Sequence, residues 1–286
     1  MIRKALGDIS IFVAECSPIK LRSYQLAPAY AIIESVIEQR GLTFVVLFPR
    51  QSGKNELQAQ LETYLLCALN LCNAEIVKLS PTWKPQTLNA MRRLERVLET
   101  NELSKNLWSK ESGYIFKVNK SRIYFFSGQP RANIVGATAN VMLEVDEAQD
   151  VMPAKFDKDI APMAASSNAT IVFWGTAWTS RTLLARELRA CRKAEKKDGV
   201  KRVFTLTADE VRKEVPAYGV FVDGQIGRLG RNHPMIKTQY FSEEIDAEGG
   251  LFPPERVAMM KGSHPLEEAP ADNKLYAITL DLAGED

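Results

Sequence analysis

The sequence predicts an α/β protein with a mainly parallel sheet flanked by helices. Short runs rich in β-branched and aromatic residues take turns along the chain with longer segments of helical periodicity, an alternation that requires crossover connections. The runs are apolar throughout rather than at every second position, as in strands covered on both faces. Finally, 286 residues with 45% hydrophobic content give enough chain to bury a large core without disulfides or a structural metal.

The elements follow in order. Tyr24, Leu26, Tyr30, Ile33 and Ile37 lie near helical spacing over residues 24–39, and Gly41 closes that helix. Residues 43–48 (TFVVLF) are a short continuous apolar run, a buried strand, and a turn at 49–53 leads into a long helix over 54–72. The next strand is 75–79 (EIVKL), ended by Ser80 and Pro81, after which 84–99 has helical periodicity with alternating charge. Residues 114–118 and 122–126 flank Asn119, Lys120 and Ser121, which suggests a hairpin. Two further strands, 141–145 (VMLEV) and 170–174 (TIVFW), are separated by a helical stretch around 153–165. One more strand is expected at 202–206. Beyond it the pattern loosens: 255–274 reads as a linker or peripheral helix, and 275–282 (LYAITLDL) as a strand.

Composition excludes several classes. No apolar run approaches the ~18 residues of a membrane helix, and Asp8 and Glu15 stand where a signal peptide would be apolar, so the chain reads as soluble and cytoplasmic. Cys16, Cys67, Cys72 and Cys191 show no CxxC spacing, and His233 and His264 are the two histidines, so no zinc constellation can be assembled. The four cysteines read as reduced thiols. A net charge of +2 neither demands nor excludes nucleic acid, which leaves local clustering to decide.

The chemistry gathers at strand ends. The strand at 43–48 runs straight into Pro49, Arg50, Gln51, Ser52, Gly53, Lys54 and Asn55 and then a helix. In that setting backbone N–H groups and the positive end of the helix dipole converge on phosphates, Lys54 adds a point charge, and Gly53 lets the backbone approach closely. The strict phosphate-loop pattern is not met, because Phe48 stands where it asks for glycine and Asn55 where it asks for serine or threonine. Taken alone, an ordinary turn with an exposed lysine competes equally. A second element decides: about ninety residues after Lys54, the strand at 141–145 ends in Asp146 and Glu147. Asp146 is positioned to hold Mg²⁺, directly or through water, and Glu147 to polarise an attacking water. Phosphoryl transfer needs mainly positioning and charge neutralisation, so this pair with Lys54 is close to a sufficient set.

On these residues the chain resembles the large terminase subunit of tailed double-stranded DNA bacteriophages, the ATP-driven motor that packs the genome into a procapsid. PRQSGKNE (49–56) resembles that family's deviant Walker A, and LEVDEAQD (143–150) its Walker B with the adjoining catalytic glutamate. Gly175, Thr176 and Ala177, after TIVFW, resemble its coupling motif, and Tyr24-Gln25 sits where the family has an adenine-reading glutamine. NHPMIKTQY (232–240) also resembles a stretch common in these proteins. The resemblance implies a P-loop NTPase of the additional-strand, catalytic-glutamate type with a small lid subdomain. It implies an ATPase domain over 1–265 (core about 20–207, lid and peripheral elements about 208–265). Residues 266–286 would then be a linker and the first strand of an RNase H-like nuclease domain ending in a metal-binding aspartate, Asp281; with that domain incomplete, nuclease activity is expected to be absent.

Carried over residue by residue, Lys54 is the phosphate lysine, with Arg50, Gln51, Ser52 and Gly53 in the loop around the nucleotide. Asp146 is the magnesium aspartate, Glu147 the general base and Gln25 the adenine contact. Asn55 departs from the pattern; its amide oxygen can ligate Mg²⁺, but without a hydroxyl's geometry. The family uses an arginine at the γ-phosphate, for which Arg50 acting in cis and Arg131 acting on a neighbouring subunit are the candidates. A stretch from Arg181 to Arg202 holds nine basic against three acidic residues. Arg186, Arg189, Arg192 and Lys193 within it offer a backbone-tracking surface for DNA, with a solvated basic helix as the equal alternative. The expected cofactors are ATP and Mg²⁺. The expected partners are double-stranded DNA, a portal protein, a small terminase subunit and further copies of the chain in a ring on the procapsid, with a monomer in isolation, no membrane, and the host cytoplasm as location. A helicase-type translocase and an ATP-binding assembly module without turnover are the rival readings.

Overall fold

Successive residues of the central strands serve two different helical layers. In β1 (Thr43–Leu47), Phe44 and Val46 join one buried cluster while Val45 and Leu47 join the other. This period-2 division of an all-apolar strand is what coverage of both faces demands. The computed structural model describes residues 2–245, apart from 133 and 135. The linker and strand expected at 255–282, Asp281 and the domain boundary near 265 all lie outside the described residues.

The other strands are β2 (Glu75–Ser80), β3 (Trp108–Glu111), β4 (Ile115–Val118), β5 (Ser121–Ser127), β6 (Met142–Val145), β7 (Thr170–Gly175) and β8 (Val203–Thr205). They form one sheet in the order β3-β4-β5-β2-β6-β7-β1-β8. Six are parallel from β5 to β8, and β4 runs antiparallel between β3 and β5. The strand β7 is therefore inserted between β1, which feeds the phosphate-type loop, and β6, which ends in the two acids. That is the additional-strand order implied by the resemblance.

One layer comprises α1 (Ile2–Ala5), α2 (Ile9–Cys16), α3 (Ser23–Ile37), α4 (Lys54–Ala68) and α5 (Leu88–Thr100). The opposite face is covered by α6 (Pro153–Lys155) with the short turns Phe156–Ile160 and Ala161–Ala164, and by α7 (Leu183–Asp198). After β8 the chain forms α8 (Ala208–Glu214), α9 (Pro216–Leu229) and α10 (Pro234–Phe241), whose Val211, Val222 and Ile236 are fully buried against the first layer.

Several boundaries move for local reasons. The helix expected from 54 to 72 stops at Ala68, where the Asn70 amide donates to the Cys67 carbonyl and competes with the helical pattern. The helix expected from 84 begins at Leu88, because Pro85 disfavours helical geometry at Lys84, whose ψ is 129°. Strand β3 and helices α8 to α10 lie where the sequence pattern assigned no particular element. No described helix is long and apolar enough to cross a membrane. The four cysteines are free; burial pushes the Cys67 and Cys191 thiols up to about 12, so both are inert at neutral pH.

The side of α4 facing the sheet carries the weight of the first layer, with Leu57, Leu61 and Leu65 wholly buried. Replacing Leu61 by alanine is expected to cost about 2–5 kcal/mol, read as a lower urea midpoint with unchanged slope.

Candidate functional site

The carboxyl ends of β1, β6 and β7 meet at one edge of the sheet. Leu47 pairs with Gly175 and Val145 with Phe173, and the Phe48 N–H donates to the Gly175 carbonyl at 3.1 Å. Between β1 and α4 the loop turns through two left-handed residues, Gln51 (φ 62°) and Gly53 (φ 95°). At Gly53 a Cβ would lie 2.8 Å from Gln25 Nε2, so both the dihedral and the space call for glycine. No side chain caps α4, which leaves the amides of its first turn, at the positive end of the helix dipole, open to an anion.

Lys54, the first residue of α4, reaches from there to the end of β6. Its Nζ donates to Glu147 Oε1 at 2.8 Å, with the lysine 7% and the carboxylate 25% exposed. Glu147 has left-handed backbone (φ 46°, ψ 48°), which turns its side chain out of the strand's alternation and toward Lys54. Its second oxygen accepts from Gln149 Nε2 at 2.8 Å. Burial alone would raise this carboxyl, but Lys54, Gln149 and Arg50 together hold it below the ordinary range. Asp146 keeps to the alternation and faces α4, where Gln58 Nε2 donates to its Oδ1 at 3.0 Å. Burial and the neighbouring Glu147 raise its carboxyl against the pull of Lys54 and Lys78.

Beneath Asp146 lies a buried charged layer. Lys78 of β2 pairs in register with Glu144 of β6, and its ammonium donates to Glu62 of α4. Glu144 Oε1 also accepts from Trp174 Nε1 on β7 at 3.1 Å. All four side chains are at most 3% exposed. Burial and the adjacent Glu62 raise the Glu144 carboxyl well above its ordinary value, whereas the two carboxylates raise Lys78 despite its burial. One lysine thus serves two acids, 16 and 66 residues away along the chain.

A cavity of about 530 Å³ opens beside this cluster. It is lined by Arg50, Gln51, Gly53, Lys54 and Asn55 of the loop and helix start, by Glu147 and Thr176, and by Ile19, Lys20, Arg22, Glu56, Arg93 and Arg96. Gln25 reaches the cavity, but its amide is engaged: Oε1 accepts from the Arg22 N–H at 2.7 Å and Nε2 donates to the Gly53 carbonyl at 2.8 Å. Here it braces the loop. Ser52 is fully buried, its hydroxyl donating to the Pro49 carbonyl at 2.7 Å. Arg50 lines the cavity, and its backbone is fixed by Gln239 and by the Tyr218 hydroxyl. Arg131 is exposed and does not line the cavity. Asn55 is exposed on the first turn of α4 and does not touch Asp146; Gln58, one turn later, does. Thr176 lines the cavity, Ala177 is buried behind it, and the Thr176 N–H donates to Gln149 Oε1 at 3.2 Å. In the basic stretch, Arg186 forms a bidentate pair with Asp157 at 2.8 Å and Arg189 holds the Ser180 carbonyl. Arg192 and Lys193 are exposed.

Sequence reasoning therefore brought together Lys54, Asp146, Glu147 and Thr176, but missed Gln58, Gln149, Glu56, Arg93 and Arg96. The arginines had a signal in their spacing of three on one helix, which puts both on the same face. The two glutamines had none.

Comparison with solved structures gives the fold a relative. The large terminase of bacteriophage HK97 superposes with a TM-score of 0.65 at 15% identity, over 85% of this chain and 55% of that one. The Thermus phage P74-26 large terminase ATPase domain matches with a TM-score of 0.55 at 16% identity, over 71% of this chain and 88% of that domain. The large terminase of a further thermophilic bacteriophage, in complex with ATP-γ-S, gives 0.51 at 14% identity, over 76% of this chain and 51% of that one. The fold is thus that of large terminase ATPase domains, and the chain spans about half the length of the first and third of these proteins. No protein-family profile and no curated protein sequence matches.

Lys78→Met leaves Glu62 and Glu144 buried around an apolar side chain and is expected to cost about 3–5 kcal/mol in chemical denaturation. Glu144→Gln keeps the acceptor for Trp174 and leaves Lys78 its closer partner Glu62, so the same measurement should register a smaller loss than Lys78→Met.

Proposed function

We propose that this chain is the ATPase domain of a large terminase, binding ATP with Mg²⁺ and using its hydrolysis to move double-stranded DNA into a procapsid. The observation that carries the reading is the meeting of Lys54 and Glu147 at 2.8 Å across the inserted strand β7. A lysine on a left-handed glycine loop at a helix N-terminus suits a triphosphate, and a carboxylate beside it suits the attacking water. The fold shared with terminase ATPase domains, some solved with ADP or ATP-γ-S, supports the choice of nucleotide.

The donors near Lys54 fit Mg²⁺. Asp146 and the exposed Asn55 amide offer hard oxygens, and no cluster of three or more metal-type side chains occurs among the described residues. Magnesium characteristically takes one or two protein oxygens and completes its shell with water and substrate phosphates. When bound, the ion neutralises charge building on the phosphoryl oxygens. Asp146 is held in place for this by Gln58.

Glu147 is the general base of this proposal. Paired with Lys54 it is held as a carboxylate but is a poor proton acceptor; a triphosphate that draws the Lys54 ammonium leaves Glu147 free to orient and deprotonate water. Thr176, with Gly175 and Ala177, would sense the terminal phosphate from the end of β7. Arg50 in the cavity wall is better placed than Arg131 to act within one subunit, while Arg131, exposed and outside the cavity, suits a neighbouring subunit's site. Gln25 would reach adenine while its amide also braces Gly53. The ATPase domain is assigned to residues 1–265, with α8 to α10 in the lid segment. The exposed face of α7, through Arg192 and Lys193, is offered as a DNA-phosphate surface. Portal protein, small terminase subunit and a ring of copies are the partners this reading implies.

Lys54→Ala is expected to weaken ATP-γ-S affinity at least tenfold by calorimetry with magnesium. Glu147→Gln should keep that affinity within about threefold and lose about 10²–10⁴ in turnover. Wild-type turnover in Glu147→Gln removes the assigned base.

A further inference from the structure

Gln149 stands between the acid at the end of β6 and the turn after β7, and bonds to both. Its Nε2 donates to Glu147 Oε2 at 2.8 Å and lies 3.3 Å from Asp150 Oδ2, while its Oε1 accepts the Thr176 N–H at 3.2 Å. Among neutral side chains an amide is suited to this place, because it offers a donor to a carboxylate and an acceptor to a backbone N–H at the same time. The orientation is fixed by its partners: a flipped amide would set oxygen against carboxylate and NH₂ against N–H. Lys54 occupies the other Glu147 oxygen, so the carboxylate is held at both ends, once from the phosphate-type loop and once from Gln149.

The turn after β7 is shaped to receive this amide. A Cβ on Gly175 would collide with Gln149 Oε1 and with Leu184 Cδ2, so a side chain there would displace the bond. The same turn is tied to β1, since Gly175 accepts the Phe48 N–H and the Thr176 hydroxyl donates to the Phe48 carbonyl at 3.4 Å. Any shift of the turn relative to β6 therefore pulls on Gln149, and through it on the Glu147 carboxylate.

We infer that Gln149 is a positioning residue that makes the orientation of Glu147 and the Gly175–Thr176 turn move as one unit, so that hydrolysis at the base is mechanically linked to β7. The inference rests on the proposed role of Glu147. It assigns the link to one side chain.

The test combines turnover, nucleotide affinity and amide exchange in the whole chain. Gln149→Met, which keeps length and loses both bonds, should lower kcat about tenfold to a hundredfold while ATP-γ-S affinity stays within about threefold. Gln149→Glu retains an acceptor for Thr176 but opposes Glu147 with a second acid, and should lose at least as much kcat. Gly175→Ala should reproduce the kcat loss, and combining it with Gln149→Met should add nothing further, because both break one link. Hydrogen exchange at the Thr176 amide should quicken in Glu147→Ala as well as in Gln149→Met, a readout that needs no turnover. Wild-type kcat in Gln149→Met, a loss of affinity in step with kcat, multiplicative effects in the double variant, or a Thr176 amide indifferent to Glu147→Ala would each overturn the inference. If Lys54→Ala and Glu147→Gln also behave as wild type, it is the broader reading that has failed; if they lose function and Gln149→Met does not, only the link has.

Discussion

The ion pair between Lys54 and Glu147 is the constraint around which the rest of the site is arranged. Its partners are 93 residues apart in sequence and stand at the ends of strands that are not neighbours. Because β7 intervenes, the gap is two strand spacings of about 4.8 Å each, more than two short side chains can bridge. A long lysine stem starting one residue past a left-handed glycine, and a glutamate lifted out of its strand by its own left-handed backbone, together close it. The inserted strand also delivers Thr176 to the wall of the cavity that Lys54 and Glu147 line.

Under this pair the protein buries polar groups between α4 and the sheet. Gln58 under Asp146, and Lys78 with Glu62 and Glu144 one layer deeper, connect α4 to β2 and β6, and Trp174 adds β7. Buried ions contribute little net stability, since desolvation offsets most of their attraction. What such a network does is penalise any slip of one strand past its neighbour, because a slip by one residue would carry Lys78 or Glu144 to the opposite face. Keeping β2, β6 and β7 in register fixes where Asp146, Glu147 and Thr176 emerge.

Much of this was legible in the sequence, and the parts that were not share a cause. The strands at 43–48, 75–79, 141–145 and 170–174 announced themselves as apolar runs, and the hairpin around Asn119 by its turn. Strand β3 (WSKE) is an exposed edge with no alternation to detect. Helix α9 carries Gly219, Gly224 and Gly227, residues that argue against a helix unless packing overrides them, as burial of Tyr218 and Val222 does here. A readable signal was overlooked at α8, where Glu210 accepts from the Thr207 N–H in a capping box. In the site, Lys54, Asp146 and Glu147 stood out as candidates because motif spacing singles them out, and they lie together. Gln58 and Gln149 did not, because a glutamine's role is set by what it faces. Gln25, expected to face a base, lines the cavity and its amide also supports the Gly53 carbonyl, a use that spacing alone could not reveal.

A crystal structure with a non-hydrolysable ATP analogue and magnesium tests the central claim most directly. The account predicts that Lys54 leaves Glu147 for the β and γ phosphates, that the metal sits against Asp146, and that Glu147 turns to a water in line with the terminal phosphate. A nucleotide bound elsewhere, or a Lys54–Glu147 pair left intact beside a bound triphosphate, would contradict it.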